Sequence, residues 1–356
     1  FPKRERERRF KIYATGISKP TLSGMQPRNR KTITILVQLL LLNILSITVF
    51  IHMISSVLRT KTHKKNGSSL CVSMDRYDDR SNSHLCTEKD HFDIIIMVNS
   101  AVVNWQRRMS IRETWGNTSY YQKMRLKVKV IFLIGVKSLS PNDNMLLSLE
   151  RLTYKDVLAI NVHDTYRNNI IKHMFGIFYS QTRCVHELFM KVDDDVYVQV
   201  EVIQRLYKMY YKNSDSMWCF NVVSTPIRDP KNKWYLDQKI YNNTFPRYCM
   251  GSFYMSTSFS MQKLSDIMQC YPFFWIDDVH VTGHLRMAAK IKIGPMQFKT
   301  AAYINGDVPP DIFSRWINKS YIRPLYHHKM TPQMIHQIWD TLRRKEKEYF
   351  LDVVPE

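Results

Sequence analysis

Between residues 91 and 192, short β-branched apolar runs alternate with helix-length segments, and this alternation limits the fold more than any other feature. The runs are His91–Ala101 (HFDIIIMVNSA), Lys127–Gly135 (KVKVIFLIG), Asp156–Val162 (DVLAINV) and Leu188–Val192 (LFMKV). Their length and composition predict buried strands. Asn104–Thr114, Asp143–Thr153 and Arg167–Thr182 fit between them as helices. In the last of these, Ile170, Ile171, Met174, Ile177 and Phe178 form one apolar stripe. Strand–helix–strand order predicts an α/β fold with a mainly parallel sheet. Ligands of such sheets collect at the carboxyl ends of strands, and the fourth run ends directly in Asp193-Asp194-Asp195. With 10 glycines and neither G-x-G-x-x-G nor G-x-x-x-x-G-K-[ST] in the chain, a bound nucleotide has to be held in some other way.

Three adjacent carboxylates raise one another's pKa, a cost that a cation relieves. In extended backbone, positions i and i+2 face one side, so Asp193 and Asp195 reach a common site. Two hard oxygen donors suit Mg²⁺ or Mn²⁺ bridged to phosphate oxygens; an acidic surface turn is the alternative. A second pair, Asp277-Asp278, lies in apolar and aromatic surroundings. Burial there predicts a carboxylate tuned toward general-base work, and Asp at the head of VHVTGHLRMAAK also suits a helix cap. Arg108 and Arg112 fall on one helix face, where guanidinium forks meet phosphate or carboxylate.

Ahead of this body, Ile33–Leu58 runs for 26 residues without a formal charge. That exceeds the ~20 residues needed to cross a bilayer and the ~15-residue limit of a signal-peptide core. Residues 1–32 carry ten basic and two acidic side chains. Basic residues flank the run about equally, so the positive-inside rule leaves orientation open. Four sequons (Asn66, Asn117, Asn242, Asn318) and all six cysteines follow the run; glycans and disulfides belong to the secretory side. The expected layout is therefore a cytoplasmic tail (1–32), a transmembrane signal anchor (33–58), a polar stem (59–90) and a luminal domain (91–356). Six cysteines allow fifteen pairings, and sequence does not choose among them. The net charge of +21 speaks to acidic partners. No basic–aromatic module for nucleic acid accompanies it.

Taken in order, several blocks resemble the β1,3-galactosyltransferase-like hexosyltransferases, glycosyltransferase family 31. They are Arg108-Met-Ser-Ile-Arg112-Glu-Thr-Trp115-Gly116, Phe132-Leu-Ile-Gly135, Asp164-Thr-Tyr166-Arg-Asn168 with Lys172, and Lys191-Val-Asp193-Asp194-Asp195-Val-Tyr-Val. Phe245-Pro246-Arg-Tyr248-Cys249-Met-Gly251, Asp277-Asp278-Val279-His280-Val281-Thr-Gly283, and His328-Lys-Met-Thr-Pro332 with Trp339 complete the set. The resemblance covers residues 91 to about 340. It implies a GT-A fold, with a Rossmann-like nucleotide-binding half joined to an acceptor half, behind the anchor of a Golgi type II membrane protein. It implies transfer of galactose or an N-acetylhexosamine from a UDP-sugar to a glycoprotein or glycolipid hydroxyl, β1,3-linked and inverting, with Mn²⁺ or Mg²⁺.

In that scheme Asp278 is the base, and Asp195, Asp193 and His328 hold the metal. Asp193, Asp194, Arg108, Arg112 and Lys172 contact the donor. Trp234, Tyr235, Gly251, Trp275 and Asp277 line a donor or acceptor pocket. Asp277 stands where the family has Glu, His280 replaces an aromatic, and Met250, Ser252 and Phe253 crowd the glycine. The competing expectation is a membrane-anchored sugar-binding protein that kept the fold and lost the chemistry.

Overall fold

A computed structural model describes residues 71–82, 85–87, 89–294 and 326–353. The expected tail and anchor, and the sequons at Asn66 and Asn318, lie outside these residues. Among the described residues no helix is long and apolar enough to cross a membrane.

Four parallel strands form the first half of the sheet: β1 (His91–Asn99), β2 (Val128–Gly135), β3 (Val157–Ile160) and β4 (Val185–Asp193). β5 (Tyr197–Val198) leaves the sheet, while β6 (Ser216–Val222), β7 (Tyr248–Thr257) and β8 (Lys292–Gly294) extend it in the order β3-β2-β1-β4-β7-β6-β8. β7 alone runs against its neighbours β4 and β6, which makes the sheet mixed rather than parallel throughout. A two-stranded ribbon pairs β5 with β9 (Tyr326–His327).

The alternation along β1 shows why both faces are covered. Ile94, Ile96 and Val98 enter one core with Ile111, Trp115, Ile335 and Ile338. Ile95 and Met97 enter the other, against Ile170, Met174 and Ile177 of the helix Asn169–Arg183 and Leu264 of the helix Ser258–Met268. A strand buried on both sides reads as a continuous apolar run, as IIIMV does. The helix Pro141–Tyr154 begins earlier than the apolar pattern suggests, because Ser140 caps it and Pro141 occupies its first turn.

Described residues within the expected stem, from Cys71 onward, are fastened to the body. Cys71 pairs with Cys270, Cys86 with Cys184, and Cys219 with Cys249. Met74 and Leu85 are buried, and the buried Asn82 donates its amide to the Ala159 carbonyl at 2.8 Å. The polar composition of this stretch hid its attachment, since the disulfide partners lie 98 and 199 positions away.

Candidate active site

β4 carries the acidic triplet at its carboxyl end, next to the end of β1, where Asn99 pairs with Asp193. The C-terminal segment is drawn to the same place. β9 pairs Tyr197 with His327, and the Met330 amide donates to the Asp195 carbonyl at 2.8 Å. As a result Asp193, Asp195 and His328 each offer a ligand atom within 4.8 Å of one another. His328 Nε2 lies 3.8 Å from Asp195 Oδ1, a buried oxygen without a hydrogen-bond partner. Burial first, and then the charge of Asp193, push the Asp195 carboxyl above its usual range, with His328 and Arg107 opposing. Two carboxylates and an imidazole, one oxygen unsatisfied, fit a divalent cation.

Lys191 ties this cluster to the second acidic pair. Its buried ammonium donates to Asp193 Oδ1 at 2.6 Å and to the Gly251 carbonyl. Burial opposes its charge, but Asp193 and Asp277 outweigh burial and hold its pKa above the ordinary lysine value. A Cβ placed on Gly251 would stand 3.5 Å from Asp278 Oδ2, so the strand passes directly against that carboxylate. The wide helical segment Val279–Leu285 is docked on β7 by Thr282, whose hydroxyl accepts from the Cys249 amide and donates to the Asp278 carbonyl.

The two acids of the pair are driven apart. Burial opposes the charge of Asp277, but Lys191 and His173 (Nδ1 at 3.6 Å) more than offset it and keep this carboxyl below its usual range. Burial lowers the pKa of His173, which hydrogen-bonds the Tyr254 hydroxyl through Nε2 at 2.8 Å. Asp278 is raised to about 7 by burial and by the negative neighbour Asp277. It also accepts from the Val279 amide at 2.8 Å, so capping and tuning reside in one side chain. Pairs of carboxyls split this way mark acid–base sites.

Several residues expected to meet a donor also have internal partners. Asp194 accepts from Ser100, Asn104 and Arg107 at 2.7, 2.9 and 3.0 Å. Arg108, 1% exposed, forks onto Glu150 at 2.8 and 2.7 Å and also donates to Ser100 and to the Ala101 and Val102 carbonyls. Arg112 grips Asp156 and Glu150, stacked between Phe132 and Tyr154. Lys172 donates to Asp164 and to the Ser100 carbonyl at 2.7 and 2.8 Å, while Asp164 accepts from the Val102 amide. These groups clamp the loop after β1 beside the triplet. The physical reason is desolvation: cations this deeply buried require fixed partners.

Of the arginines in the helix after β1, Arg107, not singled out by sequence, reaches the triplet, 3.0 Å from Asp194 and 3.9 Å from Asp195. Lys191 was legible in principle, as a lone charge two positions before Asp193 in an apolar strand.

A rim of aromatic side chains borders the carboxylates. Trp234 and Tyr166 are 40% and 46% exposed, and the indole N–H donates to the Tyr166 hydroxyl. Burial raises the Tyr166 phenol to about 12, with Asp277, Asp278 and Asp193 adding to it. Trp275 packs on the cluster of Leu236, Phe245, Ile276 and Val279, which joins the 227–247 loop to the Asp278 helix; Tyr235 is half-buried. Of the described sequons, Asn242 is exposed, whereas Asn117 caps the helix Thr118–Gln122.

The galactosyltransferase family model matches residues 106–297, more than half of the chain. Beta-1,3-galactosyltransferase 1 of Mus musculus is 24% identical over 263 residues, 73% of this chain and 76% of that protein. Lactosylceramide 1,3-N-acetyl-beta-D-glucosaminyltransferase B of Danio rerio is 32% identical over 208 residues, 54% of each. Among solved structures, the galactosyltransferase LgtC with donor and acceptor sugar analogs shares 13% identity over 74% of this chain and 98% of its own. Its TM-score is 0.31.

Proposed function

The chain belongs to the galactosyltransferase family, and from that premise we propose that it is an inverting, metal-dependent β1,3-hexosyltransferase of GT-A type. The donor is a UDP-sugar, galactose or an N-acetylhexosamine, and the acceptor is a glycan hydroxyl. One observation carries the reading: a carboxyl tuned to about 7, Asp278, stands across Lys191 and Gly251 from the Asp193–Asp195–His328 cluster.

A sugar α-linked to a diphosphate gives a β product by one displacement from the opposite face. The attacking alcohol has to lose its proton as the new bond forms, and a positioned base near neutral pKa performs this best. Asp278 fits that part. Asp277, held ionised, keeps the proton affinity of Asp278 high, and Lys191 prevents the cluster from repelling itself apart. Asp195, Asp193 and His328 would hold the divalent cation, which offsets charge on the departing diphosphate. Arg107 sits beside Asp195 as a further positive group. Arg108, Arg112 and Lys172 act indirectly, by fixing the loop after β1.

Pairing of all six cysteines and the uncharged run Ile33–Leu58 support a Golgi membrane protein of type II topology, with the body in the lumen. A donor screen with Mn²⁺, with and without chelator, followed by linkage analysis of the product, tests the assignment. Absence of UDP release or transfer across a broad donor and acceptor panel would favour the sugar-binding alternative.

A further inference from the structure

Two cations beside the base have no acidic partner among the described residues. Lys233 Nζ lies 4.3 Å from the ring centre of Trp234 and 4.8 Å from that of Tyr166, and the Arg167 guanidinium lies 4.6 Å from Trp275. Both cations are exposed, and ring faces are their sole recorded partners among the described residues. The more deeply placed cations Arg108, Arg112, Lys172 and Lys191, by contrast, all meet carboxylates within 2.8 Å. Residues 228–247 carry five basic side chains (Arg228, Lys231, Lys233, Lys239, Arg247) against Asp229 and Asp237. Arg228 is occupied in shaping this loop, donating to the Leu236 and Tyr241 carbonyls.

The aromatic pair forms a platform. Tyr166 and Trp234 stay 46% and 40% exposed although large rings favour burial, and their mutual hydrogen bond fixes the angle between them. Aromatic faces of this kind take the C–H face of a sugar ring. A neutral sugar leaves the two charges unused, whereas a sugar bearing an anion uses both. The platform belongs to the base's surroundings, because Trp275 packs on Ile276 and Val279, the residues that flank Asp277 and Asp278.

We propose that the acceptor is an anionic oligosaccharide, its ring lying on Tyr166 and Trp234 and its sulfate or carboxylate held by Lys233 and Arg167. The proposal rests on the reading of Asp278 as the base, which makes this rim the acceptor side. It gives substance to the basic excess of the body as attraction toward acidic substrates.

The test is a binding titration of the full chain, read by tryptophan fluorescence and saturation-transfer NMR. The probes are a neutral lactose-based tetrasaccharide, the same core with one sulfate, and the same core ending in glucuronate. At least one charged probe should bind about fivefold more tightly than the neutral one, the upper end for an exposed ion pair, and about 0.5 M salt should erase that advantage. Preference for sulfate over glucuronate, or the reverse, identifies the source of the charge. Lys233→Gln and Arg167→Gln should each bring the charged-to-neutral ratio toward one. Equal affinity for all three probes, or a ratio unchanged in both variants, overturns the proposal. Because the readout needs no turnover, the two ideas fail separately. Charged-probe binding without UDP release from any donor sinks the enzymatic reading alone, and turnover with no charge preference sinks this one alone.

Discussion

Replacing Asp278 by Asn separates what the site needs from what the fold would prefer. The carboxyl moves from 3.8 to about 7 on folding, about three pKa units at ~1.4 kcal/mol each, or about 4 kcal/mol. The direction follows from proton counting. Between pH ~4 and ~7 the folded protein holds a proton that the unfolded chain has released, so this residue makes stability fall as pH rises. Below pH ~4 both states are protonated and the contribution vanishes; above pH ~7 it is complete. Asn keeps the volume and can still accept from the Val279 amide, yet does not ionise.

The variant should therefore match the wild type near pH 4 and exceed it by about 2–4 kcal/mol at pH 8, the lower figure allowing for partial solvent screening. Urea denaturation across that range measures the difference. The same substitution should lower kcat by about 10²–10⁴-fold, the usual worth of a general base, with donor binding retained. Wild-type kcat should climb with unit slope below pH ~7 and level off above it. A variant whose stability follows the wild type at every pH, or one with near-normal turnover, would refute the assignment.

Asp195→Ala should abolish metal-dependent UDP binding, checked by calorimetry with and without Mn²⁺; undiminished binding would remove the triplet from the metal site. Lys191→Met leaves Asp193 and Asp277 without their shared cation and should destabilise the protein by about 3–5 kcal/mol, as when one member of a buried pair is lost; thermal unfolding reads this directly. Converting Cys86 and Cys184 together to Ser opens a loop spanning 98 positions and should cost roughly 4–5 kcal/mol on the chain-entropy argument, measured by denaturation under non-reducing conditions.

The first four strands were legible because each is an apolar run buried on both faces, and the helix Asn169–Arg183 because its apolar stripe is local; β6, β7, β8 and the helices Ser258–Met268 and Pro332–Val353 were not expected. The end of β4 was legible for the same reason, since an acidic island directly after an apolar strand has few structural uses. What escaped was every pairing across long sequence distance. Nothing near Arg108 or Arg112 announces Glu150 and Asp156, and their spacing on one helix face suits an external anion as well as an internal one. Lys172 and Asp164, only eight positions apart, belong to the same network but take their meaning from the Ser100 carbonyl. β7 escaped as well, and with it the antiparallel pairing to β4 and β6 that makes the sheet mixed. The polar segment before His91 offered composition alone, and composition reads as linker until the cysteines are matched.

The clasp between Cys71 and Cys270 also governs the order in which this protein can be finished. At roughly 5–20 residues per second of synthesis, the 199 positions between the two thiols separate their appearance by about 10–40 s. Throughout that interval Cys71 has Cys86 as its nearest thiol along the chain, although the native bond of Cys86 is to Cys184. Maturation accordingly calls for either restraint of the early thiols or later exchange between them, a process that takes minutes to hours when uncatalysed. The first stretch of the body to be made is thus among the last to be secured.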